Sequence, residues 1–165
     1  MKTRKMMRIT MLVALGVILH FAEGMIELPS FPGVRLGFAN IVGLIAFYMF
    51  GFKEMVEVNF FRVLFASLLN GRLLTTGFFL SLSGVCCSII ASYLAKKYTK
   101  CSIIGVSMIQ ACFHGIGQIL CVILIYSQKA MIYYLPILTL ASIPTGIFTG
   151  YIAYLVLKHL KQGGV

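Results

Sequence analysis

The sequence predicts an all-α integral membrane protein of one domain, a bundle of six transmembrane helices with both termini in the cytoplasm. Three observations predict it. Of 165 residues, 60% are hydrophobic and only 11% charged, with a mean hydropathy of +0.99; a soluble domain carries about 25% charged residues. The apolar residues gather into six segments, about 9–25, 36–52, 54–70, 76–95, 102–126 and 132–157. The basic residues then fall mostly on one side of these segments, as the positive-inside rule requires of cytoplasmic loops. A helix needs roughly 20 apolar residues to cross the hydrocarbon. Segments four to six satisfy that length. The first three are short or carry charge near an end, which suits helices lined partly by protein or by a wet cavity.

Segment one follows Lys2, Arg4, Lys5 and Arg8. A basic start and an apolar run from Ile9 to Phe21 resemble a signal peptide. However, His20 stands where cleavage after Ala22 would want a small residue, so the segment is read as the first helix. Glu23 and Glu27, four apart at its outer end, are candidates for a gate or ligand contact; solvation, or pairing with Arg35 or Arg72, is the plainer reading. The loop from Glu23 to Arg35 is the longest outside, and Pro29, Pro32 and Gly33 break helix there. Arg35 and Asn40 then open segment two. Lys53 separates segments two and three. Glu54 and Glu57 suit a helix N-terminus through its dipole.

Arg62 is the costliest residue. It lies near the middle of segment three, where an unpaired arginine costs at least ~2.5 kcal/mol. It must face a cavity or a partner, either as a ligand group or as an internal packing contact. In segment four, Gly77, Ser81, Gly84, Ser88 and Ser92 form a small-residue stripe for close helix packing. Lys96, Lys97 and Lys100 precede segment five. There Gln110, His114 and Gln118 step by four and share one face, to bond neighbouring helices or to line a pocket. Segment six holds Pro136 and Pro144, expected to kink it. Its Ser142, Gly146 and Gly150 suit packing inside the chain or against another subunit. Lys158 and Lys161 follow.

The net charge is +10, with no aspartate. The basic residues sit at helix ends with few aromatics among them, so nucleic acid is not the expected partner; the lipid bilayer is. Cys86, Cys87, Cys101, Cys112 and Cys121 show no zinc-ligand spacing. No P-loop occurs. Without aspartate there is no Asp-rich motif for magnesium and no Ser–His–Asp set. No catalytic residue, metal or cofactor is therefore expected, nor is the chain expected to be a self-contained enzyme. Arg35, Asn40, Arg62, His114 and Gln118 are expected to converge on one outward-facing cavity under the proline-bearing loop. Arginine suits carboxylate and phosphate, which points to an anionic small-molecule ligand.

Several stretches carry a resemblance. "PGVRLGFANIVGLIAFYMFGFKE", "NFFRVLFASLLNGRL", "SIIGVSMIQACFHGIGQIL" and "YYLPILTLASIPTGIFTGYIAYLVLK" resemble the Gx transporter family, also described as heptaprenyl diphosphate synthase component I. The likeness runs from about Met11 to Lys158. That family is similar to the substrate-binding S components of energy-coupling factor transporters. The resemblance implies a multi-pass protein of a bacterial plasma membrane that binds a nutrient near the outer face. A separate transmembrane T component and ATPase subunits would power uptake. S components dock the T component through small residues spaced AxxxA on helix one. Here the matching face reads Ala14, Ile18, Ala22, and Ile18 interrupts it; Gly146 and Gly150 are the alternative interface. The second description implies a non-catalytic membrane subunit or tether of a prenyl diphosphate synthase. An isoprenoid or quinone-precursor ligand would reconcile the two.

Overall fold

A computed structural model describes residues 2–25 and 38–162. The described residues form six α-helices: α1 (Lys2–Met25), α2 (Asn40–Met49), α3 (Phe52–Leu69), α4 (Thr76–Tyr98), α5 (Ile103–Tyr126) and α6 (Leu135–Gln162). A short 3-10 helix, Lys129–Tyr134, leads into α6. No strand occurs among the described residues.

Each boundary has a local cause. α1 begins seven residues before its apolar core, so Arg4, Lys5 and Arg8 are already helical. Lys5 Nζ pairs with the Glu54 carboxylate in the first turn of α3. That contact ties the basic end of α1 to the turn between α2 and α3. α2 stops where the backbone N–H groups of Phe50 and Gly51 both bond Ala46 O, at 2.9 and 3.3 Å. Gly51 then takes φ +121°, a left-handed conformation that only glycine adopts without strain. Ser102 caps α5 by accepting the Gly105 N–H at 3.2 Å. Lys96 and Lys97 lie in the last turn of α4, where a cation complements the helix dipole.

Two of the expected elements are corrected. Segment two was expected over 36–52, but α2 has ten residues. At 1.5 Å per residue it spans about half the hydrocarbon. The apolar run continues past Met49, but the Gly51 turn breaks its helix. Pro136 was expected to kink segment six. It falls instead in the first turn of α6, where its missing N–H forfeits no helical bond; Pro144 alone is interior. Four helical stretches are long and apolar enough to cross a membrane by length and composition: Thr3–Glu23, Thr76–Tyr98, Ile103–Tyr126 and Lys129–Leu160. α3 has eighteen residues and carries Lys53, Glu54, Glu57 and Arg62.

α2 is the hub. It packs against α1, α3, α5 and α6, and every residue from Asn40 to Phe47 is buried. A helix buried all round must be apolar all round, and this one is, apart from Asn40 at its start. α4, α5 and α6 pack side by side. A Cβ on Gly117 would lie 2.7 Å from Ser83 O, and one on Gly150 would lie 2.8 Å from Ile104 Cα. These glycines let backbones meet, as in other membrane bundles. The outer faces carry Met11, Ile18, Phe60, Phe65, Leu124 and Leu140, all exposed. Apolar side chains around the whole circumference fit a lipid surround.

Candidate functional site

The buried arginine organises the polar interior. Arg62 is 2% exposed, held midway along α3. Its aliphatic stem lies under α1 at Gly16, where a Cβ would come within 2.9 Å of Arg62 Cδ. The stem packs as a hydrophobe while the guanidinium reaches the start of α2. There Nη2 donates to Asn40 Oδ1 at 3.0 Å. This bond uses one lone pair of the Asn40 side-chain oxygen. The Asn40 Nδ2 donor is buried and has no hydrogen-bond partner among the described residues.

Five helices converge at this point. One cavity is lined by His20 and Glu23 from α1, Asn40 from α2, Arg62 and Val63 from α3, Ser81 and Val85 from α4, and His114 from α5, with Ala39 ahead of α2. It amounts to about 10 Å³, enough for one water. Glu23 is buried and accepts the Phe38 N–H just ahead of α2. A carboxylate there satisfies a backbone donor at the positive end of the helix. The His114 ring rests on Gly84, where a Cβ would sit 2.8 Å from Cε1. The small-residue stripe of α4 therefore seats the ring. Behind it, Gln118 Nε2 lies 3.2 Å from His114 Nε2.

The cavity thus gathers Glu23, Asn40, Arg62 and His114 from the expected set. Gln118 stands one turn away as a support for His114. Arg35 and Glu27 lie outside the described residues. The spacing of Gln110, His114 and Gln118 does produce a shared buried face, but Gln110 does not line the cavity. Ala14, Ile18 and Ala22 lie on an exposed face of α1. Gly146 and Gly150, the alternative interface residues, pack inside the chain: their Cβ positions would each lie 2.8 Å from the α5 backbone, at Met108 and Ile104. Their close approach is to α5, because only glycine leaves room for it. Sequence reasoning missed His20 and Ser81. His20 was legible as the partner, three residues back, of Glu23 on one helix face. Ser81 was visible only as a small residue.

A group of three or more side chains able to hold a metal ion does not occur among the described residues. What the site offers is hydrogen bonding around one fixed positive charge: donors from Asn40 and Arg62, and a carboxylate and two imidazoles opposite.

The model of the family described as heptaprenyl diphosphate synthase component I matches residues 12–156. The chain belongs to that family. The match spans α1 from Leu12 through most of α6 and so includes every residue lining the cavity. The family's description names a synthase component, and the long apolar helices fit a membrane subunit. No curated protein and no solved structure matches the chain.

Proposed function

We propose that this family member is a membrane-embedded binding subunit of the S-component kind. Its six helical segments pass through the bilayer with both termini in the cytoplasm, the half-length α2 running inside the bundle rather than against lipid. It receives the polar end of a small nutrient or an isoprenoid- or quinone-related precursor in the Arg62 cavity. Uptake would be driven by a separate T component and ATPase subunits, since the sequence has no P-loop. The observation that carries the reading is Arg62 itself. It is buried within the bundle beside a polar cavity fed by five helices, and ionisable groups at such depth mark ligand or ion sites. Arg62 supplies charge, Asn40 and His114 hydrogen bonds, and Gln118 orients His114. On the sequence alone, Arg35 is a further ligand contact and Glu27 an entrance residue beside Glu23; both Arg35 and Glu27 lie outside the described residues. The exposed α1 face of Ala14, Ile18 and Ala22 is the docking surface for the T component.

A second reading is favoured by the family's description: a non-catalytic membrane subunit that holds a soluble prenyl diphosphate synthase at the bilayer. One experiment separates them. The protein is purified in detergent, extracted, and its small molecules identified by mass spectrometry beside Arg62→Ala and Asn40→Ala. A stoichiometric compound lost in both folded variants establishes the binding subunit. An empty wild-type protein that instead retains a soluble synthase on an affinity column establishes the tether.

A further inference from the structure

The two lysines in the last turn of α4 point different ways. Lys96 turns inward. Its Nζ lies 4.1 and 4.3 Å from the centroids of the Phe47 and Tyr48 rings and 3.5 Å from Phe47 O, so its charge serves the C-terminal end of α2. Lys97 turns outward. Its Nζ stands 5.7 Å from the Tyr93 ring and 5.3 Å from the Tyr98 ring, a cation–π seat at the surface. Phe52, the first residue of α3, packs on Tyr93 with ring centroids 4.6 Å apart. That contact sets the start of α3, and Lys53 with it, against the same flank of α4. Lys100 follows two residues after the helix, and Lys53, Lys97 and Lys100 are all exposed. Of the α3 carboxylates, Glu54 pairs with Lys5 of α1, and Glu57 is half-buried one turn further on. Towards the middle of the bundle the same flank turns apolar. Ile90 lies seven residues before Lys97 on α4, and Val56 and Phe60 lie four and eight after Phe52 on α3, so each continues the face above it. All three are exposed. Cations seated on aromatic rings, with apolar side chains along the wall beneath, match the division of a phospholipid into phosphate and acyl chains.

We infer that the seam between α3 and α4 binds an anionic phospholipid of the surrounding bilayer. Lys53 and Lys97 take the phosphate charge, and Ile90, Val56 and Phe60 take the first part of an acyl chain. An acidic soluble partner would use the cations alone; the exposed apolar wall beneath them selects a lipid. The seam lies past the end of α2, whereas the Arg62 cavity lies at its start, so the two sites are separate.

The test compares lipids that share their tails and differ only in the head. The purified protein, delipidated in neutral detergent, is offered equal amounts of phosphatidylglycerol and phosphatidylcholine with identical acyl chains, and bound lipid is counted by native mass spectrometry. The wild type is expected to retain phosphatidylglycerol about tenfold over phosphatidylcholine, with the preference falling as salt rises. Lys53→Gln combined with Lys97→Gln is expected to reduce the preference to within about twofold, with thermal unfolding unchanged because both side chains are exposed. The corresponding pair of arginine substitutions is expected to keep it. Lys96→Gln is expected to lower the unfolding temperature and leave the lipid preference intact. Equal retention of the two lipids by the wild type overturns the inference, as does an undiminished preference in the glutamine variant. Displacement of phosphatidylglycerol by an equal amount of geranylgeranyl diphosphate overturns the choice of a phospholipid.

Discussion

Two buried polar contacts in this bundle end differently. Between α5 and α6, the Ser107 and Thr149 hydroxyls lie 3.0 Å apart, and Thr149 Oγ1 also lies 2.9 Å from Thr145 O. That contact closes on itself. Between α2 and α3, Arg62 bonds Asn40, and the Asn40 amide faces a cavity with no hydrogen-bond partner among the described residues. The surroundings explain the difference. Gly146 and Gly150 bring α6 onto the α5 backbone, leaving no space beside Ser107. At Asn40 a helix begins rather than passes, and five helices must meet around its end. Polar residues in a membrane bundle are therefore glue where backbones touch and a site where a helix starts.

The comparison breaks most severely at the glycines. Gly150→Leu is expected to lose folded protein, or about 3 kcal/mol where it folds, because its side chain has only the α5 backbone to push against. Size exclusion and thermal unfolding in detergent read this out, and a fold unchanged by Leu would refute the packing described. Arg62→Met comes next. Retained ligand is expected to fall about a hundredfold, the worth of a hydrogen bond to a charged group, while the protein still folds. Unfolding before ligand loss would move Arg62 to the glue class. Thr149→Val should cost only about 0.6 kcal/mol, typical of interhelical hydrogen bonds in membranes, and should leave ligand retention unchanged. The smallest stability effect is expected at Ile18. Its side chain is 64% exposed, so Ile18→Ala should stay within about 0.5 kcal/mol of wild type. If the face docks a T component, the alanine should strengthen co-purification of that subunit; weaker co-purification would count against the docking surface.

Much of the bundle was legible. α4 and α5 match their apolar segments to within three residues at each end, because a long apolar run closed by Lys or Ser has one solution in lipid. The candidate residues Glu23, Asn40, Arg62 and His114 were visible one at a time, since a polar group among apolar neighbours is costly wherever it lies. The length of α2 was not legible. Hydropathy counts Phe50, Gly51 and Phe52 as more of the same run, and only the backbone conformation at Gly51 divides it. Ser81 was hidden because a serine in a small-residue stripe reads as packing.

The sequence by itself determined that this chain lies in a membrane, that it is helical, and that a few polar residues must be hidden from lipid. These follow from the transfer free energies of single residues and need no partner. The tertiary structure alone decided which of those residues share a cavity, that Glu23 takes a backbone N–H ahead of α2, and that Gly146 and Gly150 serve the chain's own core. Those are relations between helices far apart in sequence, fixed by how side-chain volumes pack, and no single segment encodes them.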